Sequence, residues 1–338
     1  MILVTGGTGL VGSHLLYDLI KNGNQVKAVY RRKHKLETVK KVFSYYSDDY
    51  ETLYDKIQWV EADINDIPAL EIAFKDVTHV YHSAAFVSFE PDKYRLLRKI
   101  NIEGTANIVN LCVSNNVKKL AYVSSIATLG HNLNFEDFIN EETLWNPEED
   151  HNVYAITKYG AEIEVWRGSQ EGLDVVIVNP GIILGPGYWR SGSSGSIFKQ
   201  IYKGLPYYTC GISGYIDVFD VTKALIQLME SEIKSERYIL ISENLSIKEF
   251  QTRVAKVLNI KPATKEATKW MLEIAWRLDW LNHKLRGKRR KLSKQFAQTL
   301  QSRRYLDNSK IKEALNFEFT PIDDSIKKVS AYFLKDLG

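Results

Sequence analysis

Met1-Ile2-Leu3-Val4-Thr5-Gly6-Gly7-Thr8-Gly9-Leu10-Val11-Gly12 opens the chain, and its reading decides the fold. Four residues, Met1 to Val4, suit only a short buried strand. Behind the glycines, Leu15, Leu16, Leu19 and Ile20 recur at helical spacing, and Gly23 supplies a C-terminal stop. The pattern is strand, glycine turn, helix. Glycines there let backbone amides approach a pyrophosphate at the positive end of the helix, where a side chain would block it. Both G-x-G-x-x-G from Gly7 and G-x-x-G-x-x-G from Gly6 are satisfied. Gly6, Thr8, Gly9, Leu10, Val11 and Gly12 are therefore expected to bind a dinucleotide, against the reading of a plain glycine-rich hairpin.

About 20 residues further on, where an acid would grip the ribose 2′-hydroxyl of NAD, the run Gln25 to Tyr30 ends instead in Arg31, Arg32 and Lys33. Guanidinium forks match a 2′-phosphate, so NADP(H) is favoured, with NAD(H) as the alternative and a solvated basic loop as the plain reading. A second constellation lies downstream. Tyr154 stands four residues before Lys158, one helical turn away on the same face, and about thirty residues upstream the strand-like run Leu120 to Val123 ends in Ser124-Ser125. Tyrosine and lysine meet at that spacing on many ordinary helices, so the pair gains meaning only beside the glycine turn.

Together these motifs resemble the extended branch of the short-chain dehydrogenase/reductase superfamily. Further matches follow in order. Glu61-Ala62-Asp63-Ile64 is similar to the strand end beside the adenine, and His82-Ser83-Ala84-Ala85 to the strand end along which the cofactor lies. Asn101-Ile102-Glu103-Gly104-Thr105 resembles the N-x-x-G-T motif whose asparagine holds the active-site loops, and Asn179 to Gly187 the segment under the nicotinamide. The resemblance implies an α/β Rossmann-type doubly wound parallel sheet over residues 1–180, rejoined by segments of about 215–242. A smaller, mainly helical substrate-binding region would comprise 181–214 and 243–338. It also implies cofactor contacts at Asp63, Ile64, Ala84, Ala85, Asn101, Pro180, Ile182 and Ile183, with a catalytic set of Ser125, Tyr154 and Lys158. Ser125 is preferred to Ser124 because it lies nearer the carboxyl end of its strand, where ligands collect.

In that set a phenol of ordinary pKa about 10 is made usable by the lysine ammonium and the oxidised nicotinamide. Tyr154 would give its proton to a carbonyl as hydride arrives, or take one from an alcohol. Ser125 would hold the reacting oxygen, and Lys158 would also hold the ribose. Ile126-Ala127-Thr128 stands where similar sugar dehydratases carry acids, and Val176 to Gly181 looks more like the dihydroflavonol reductase and 3β-hydroxysteroid dehydrogenase-like branch than the epimerases. The expected function is an NADP(H)-dependent carbonyl reductase or alcohol dehydrogenase for a hydrophobic or aromatic small molecule. A nucleotide-sugar epimerase and a non-catalytic dinucleotide-binding regulator are the alternatives. Candidate pocket residues are Phe86, Val87, Phe89, Tyr188, Trp189, Tyr207, Tyr208 and Tyr215, with Arg190 the nearest cation and Gly192 to Gly195 a hinge; each aromatic fits a core position equally well.

With 338 residues and a formal charge of +4, the chain suits one large domain with an appendage and is too mildly basic to suggest nucleic acid. Cys112 and Cys210 lack metal-ligand spacing, so no metal is expected, and a reducing cytoplasm fits. A strand beginning at Ile2 leaves no room for a signal peptide. Other expectations are an irregular insertion over 44–55, one long helix over 94–116, and a strand over Tyr215 to Val221. An acidic loop over 135–152 would cross the active-site face, and Ser246 with Glu249 would cap a helix. Residues 264–291 join tryptophans to a basic run, a mixture that suits a membrane surface but equally a helix docked on the core or a second subunit; the docked reading is preferred. The resemblance further implies a homodimer through the helices near 94–116 and 154–170.

Overall fold

The computed structural model describes residues 1–130, 138–189, 194–287, 290 and 292–338. The candidate cation Arg190, residues Gly192 and Ser193 of the expected hinge, the start of the acidic loop at 135–137, and Lys288, Arg289 and Lys291 lie outside the described residues.

Twelve strands are described: β1 (Ile2–Thr5), β2 (Val26–Tyr30), β3 (Gln58–Glu61), β4 (His79–His82), β5 (Lys119–Val123), β6 (Asp174–Pro180), β7 (Ile182–Leu184), β8 (Tyr207–Tyr208), β9 (Ile212–Asp217), β10 (Glu236–Leu240), β11 (Glu243–Ser246) and β12 (Lys265–Glu266). Seven form one parallel sheet in the order β10-β6-β5-β4-β1-β2-β3. Its central strands are apolar on both faces because helices cover both: Leu120 to Tyr122 and Val175 to Val178 are each buried throughout. On one face Leu15, Leu19 and Val39 pack with Val221, Leu225 and Leu228; on the other Leu70, Phe74, Ile108 and Val109 pack with Ala161 and Val165. This is the Rossmann-type doubly wound sheet.

Strand order reverses between β1 and β4, so the crevice at their carboxyl ends is the switch point at which such sheets bind ligands. Gly6 sits there in a left-handed conformation with φ +73°, and a Cβ on it would stand 2.5 Å from the Ala84 amide nitrogen. A Cβ on Gly12 would run into the Gly6 carbonyl. Only glycine lets the turn fold back on its own helix and against β4.

A separate three-stranded sheet, β11-β9-β7, and the pair β12-β8 belong to the smaller region. Its core joins Phe198, Tyr215 and Phe250 to Ile326, Val329 and Phe333 of the C-terminal helix Ile322–Leu337. Three expectations need revision. The insertion over 44–55 contains a helical turn, Tyr50–Asp55, whose Tyr54 packs on Trp59 and Phe43. The stretch read as a strand to Val221 stops at Asp217, whose carboxylate caps the helix Val218–Glu230 by accepting the Phe219 N–H at 2.8 Å. The long helix over 94–116 is divided into Tyr94–Leu97, a π-helical stretch Arg98–Glu103, and Gly104–Ser114. Among the described residues, no helix is long and apolar enough to cross a membrane.

Candidate active site

The helix Leu10–Lys21 begins at Gly9 with no side-chain cap and no acid in its first turn. Its opening N–H groups and dipole thus face the space before Gly9, where a Cβ would meet only the Gly6 carbonyl, at 3.3 Å. That open cradle fits a pyrophosphate. At the far side of the crevice Arg31 and Arg32 are exposed, and Arg31 reaches Asp63 at 3.3 Å. Burial alone would raise the Asp63 carboxyl pKa, but two hydrogen bonds from Asn65 and the Arg31 guanidinium outweigh it and hold the group below its ordinary value. Buried Ile64 lies under Gly104, where a Cβ would collide with its side chain.

Val153–Gln170 is one continuous helix because Asn152 accepts the Ala155 N–H at 2.9 Å and no proline interrupts it. Tyr154, Lys158 and Glu162 occupy successive turns of one face. At the end of β5, Ser125 caps the short turn Ile126–Thr128, accepting the Ala127 N–H at 3.1 Å, beside the Tyr154 phenol. Burial raises the phenol's pKa, and the neighbouring Ser125 hydroxyl pulls it the other way. The expected help from Lys158 takes a different form. Its ammonium donates to the Tyr122 hydroxyl at 2.6 Å and the Val123 carbonyl at 2.9 Å, and burial lowers its pKa to about 7 against the attraction of Glu162. Lys158 is thus poised between charged and neutral forms near neutral pH.

The two serines are told apart by their partners. Ser124 is buried and donates to Glu162, whose carboxylate also accepts from Thr128 at 2.8 Å, Asn179 at 3.0 Å and Arg237 at 3.0 Å. Arg237 in turn donates to the Glu141 carbonyl at 2.9 Å, and the Glu141 carboxylate accepts the Ile239 N–H at 2.7 Å. Sequence reasoning stopped at Lys158 and missed this network. The available signal was a carboxylate one further turn along the Tyr154–Lys158 face, flanked by the core residues Ala161 and Val165.

Asn101 is buried with both ends of its amide engaged: it donates to the Phe86 carbonyl at 3.0 Å and Thr157 at 3.1 Å, and accepts the Phe86 N–H at 2.8 Å. Its side chain therefore ties those two segments together. The π-helical stretch that carries it turns this side chain inward. Ala84 and Ala85 follow β4 at the crevice; Pro180 ends β6 beside Leu240 of β10, and Ile182 and Ile183 begin β7 just beyond.

The expected aromatic wall is largely reassigned. Trp189 donates to Asp336 at 2.7 Å and meets Phe333 edge-on, so its indole is tied to the C-terminal helix rather than to the phenol. Tyr215 stacks on Phe250 in the small core, and Tyr207 and Tyr208 form β8. Phe89 does meet Tyr154, edge-on at 5.6 Å, and its outer face stacks on Phe296 at 4.7 Å. Phe296 was missed because it arrives from a distant helix, Lys294–Thr299. Arg304, also missed, donates to the carbonyls of Leu129 and Gly130, holding the chain that leaves Ser125. Phe86 is half-buried and Val87 exposed, both on the same loop as Phe89.

Known proteins agree with this geometry. Residues 2–241 match the model of the NAD dependent epimerase/dehydratase family. A putative dihydroflavonol 4-reductase of Synechocystis is 27% identical over 81% of this chain and 77% of its own length. Cinnamoyl-CoA reductase 1 of rice is 26% identical over 78% of each. The crystal structure of gox2253 superposes with a TM-score of 0.82 at 24% identity, covering 99% of this chain and 98% of that one. The glycine cradle at the switch point, the tyrosine–lysine helix and the family match over most of the length lead to one conclusion: the chain belongs to the NAD dependent epimerase/dehydratase family and is a nicotinamide-dinucleotide-dependent oxidoreductase of the extended short-chain dehydrogenase/reductase type.

Proposed function

We propose that the protein is an NADP(H)-dependent reductase or dehydrogenase for a hydrophobic or aromatic ketone, aldehyde or secondary alcohol. The observation that carries this reading is Phe89 set against Tyr154 and backed by Phe296. An aromatic ring beside the phenol offers a hydrophobic or aromatic substrate a stacking face. When bound, the nicotinamide supplies or accepts a hydride. Gly6, Gly9 and Gly12 shape the pyrophosphate cradle, and Arg31 and Arg32 take the 2′-phosphate. Tyr154 gives or takes the proton at the substrate oxygen, Ser125 orients that oxygen, and Lys158 sets the charge behind the phenol. The turn after Ser125 carries Ile126, Ala127 and Thr128 and so lacks a carboxylate for sugar dehydration. A homodimer is part of the proposal, supported by exposed Leu96, Ile156 and Ile163 on the two helices expected to pair.

The cofactor is tested by titrating NADPH and NADH separately into the wild type and into Arg31→Ala/Arg32→Ala. NADPH should bind tighter to the wild type and lose that advantage in the variant. Tighter NADH binding to the wild type would remove the assignment of both arginines and revive the family's epimerase chemistry as the second reading.

A further inference from the structure

The helix Lys269–Arg286 buries none of its residues. Within the chain it packs against the short helix Lys294–Thr299. Trp270, Ile274, Leu278, Leu281 and Leu285 fall at steps of three and four and so form one apolar stripe. Every one of them is exposed, Trp270 by 65% and Leu285 by 72%. Arg277 and Lys284 border the stripe, each lying over an indole: Arg277 over Trp276 at 4.4 Å and Lys284 over Trp280 at 5.2 Å.

The sequence of this stretch is also basic. From Lys269 to Lys291 the sequence carries eight lysines and arginines against Glu273 and Asp279, a local net of +6 in a chain whose total is +4. Glu273 is engaged by Arg277 at 2.6 Å, and Asp279 accepts the Leu292 N–H at 3.1 Å.

We propose that this helix docks the protein on an anionic phospholipid surface, lying in the plane of the interface. The apolar stripe would enter the boundary between headgroups and acyl chains, the tryptophans would sit at headgroup level, and the cations would meet lipid phosphates. A second copy is the poorer occupant, because pairing these helices sets two strongly basic segments against each other. The inference stands apart from the proposed reaction.

The test is flotation of the full chain with vesicles of phosphatidylcholine alone and of phosphatidylcholine carrying about 30% phosphatidylserine, in low and high salt. The wild type should float with the anionic vesicles, float far less with the neutral ones, and be released as salt rises. Trp270→Glu/Leu278→Glu/Leu285→Glu alters only exposed positions and should keep the wild-type melting temperature while losing at least about tenfold in bound fraction. Arg277→Glu/Lys284→Glu should lose binding to the anionic vesicles selectively. Three outcomes would overturn the proposal: a wild type that stays in the bottom fraction with both vesicles, equal flotation of wild type and triple variant, or a triple variant whose sole change is from dimer to monomer.

Discussion

Ser124 and Ser125 are adjacent and chemically identical, yet their partners separate them: one hydroxyl is spent on a buried carboxylate, while the other accepts the Ala127 N–H beside the phenol. Ser125→Ala should therefore lower kcat with little change in melting temperature. Ser124→Ala should do the reverse, since it strips Glu162 of one donor, a loss of about 1–3 kcal/mol in stability. Parallel kinetics and thermal melts decide it, and equal kinetic defects in the two variants would contradict the division of labour. The chain alone preferred Ser125 by its depth along the strand, but it gave no sign of the partner that fixes Ser124. That partner is a glutamate on another element, and a pairwise motif cannot report a third member whose contacts come from four segments.

At the level of elements, Glu162 joins the helix Val153–Gln170 to β6, to the turn after β5 and, through Arg237, to β10. It also sustains the charge on Lys158, whose burial has lowered its pKa to about 7. The sign is set by that attraction: without the carboxylate the ammonium is less favoured, so Lys158 loses its proton at lower pH. Glu162→Gln should move the alkaline limb of the kcat/KM profile toward acid by about one unit. An unmoved limb with an unchanged melting temperature would contradict the coupling.

Elements whose boundaries depend on local pattern were legible beforehand: the glycine turn, the parallel strands, and the helix capped by Ser246, which accepts the Glu249 N–H at 3.1 Å. The helix over 94–116 was read as unbroken because the helical backbone runs on through the π-helical stretch, and the ties from Asn101 to Phe86 and Thr157 beside it are tertiary. For the same reason Trp189 was placed in the pocket and Phe296 left out of it. Nearness in sequence to a catalytic strand does not say which rings a distant C-terminal helix will bring alongside.

For the whole molecule, two histidines are folded in as neutral groups. His14, bonded to the Leu10 carbonyl and the Tyr46 hydroxyl, has its pKa lowered by burial from 6.5 to about 4. His82, between Thr5 and Thr105, is lowered by burial, with help from Lys158, to about 3. Below pH 6.5 the unfolded chain takes up protons that the native one refuses. The stability these groups allow is thus complete above pH 6.5 and falls as the pH descends toward 4 and then 3. Each histidine contributes a slope of about 1.4 kcal/mol per pH unit within its window. Melting temperatures across that range should fall steadily, and His14→Gln should flatten the fall; a melting temperature constant from pH 6.5 to 4.5 would contradict both assignments.

All of these features bear on one claim, that Tyr154 moves a proton at an apolar carbonyl or alcohol held beside Phe89. Its most direct test is the loss of NADPH absorbance in the presence of a series of aromatic and aliphatic ketones and aldehydes, for the wild type and Tyr154→Phe. The wild type should oxidise NADPH with aromatic members of the series. The variant should bind NADPH as the wild type does and turn over slower by about 100-fold or more. Equal turnover by the two proteins would contradict the account.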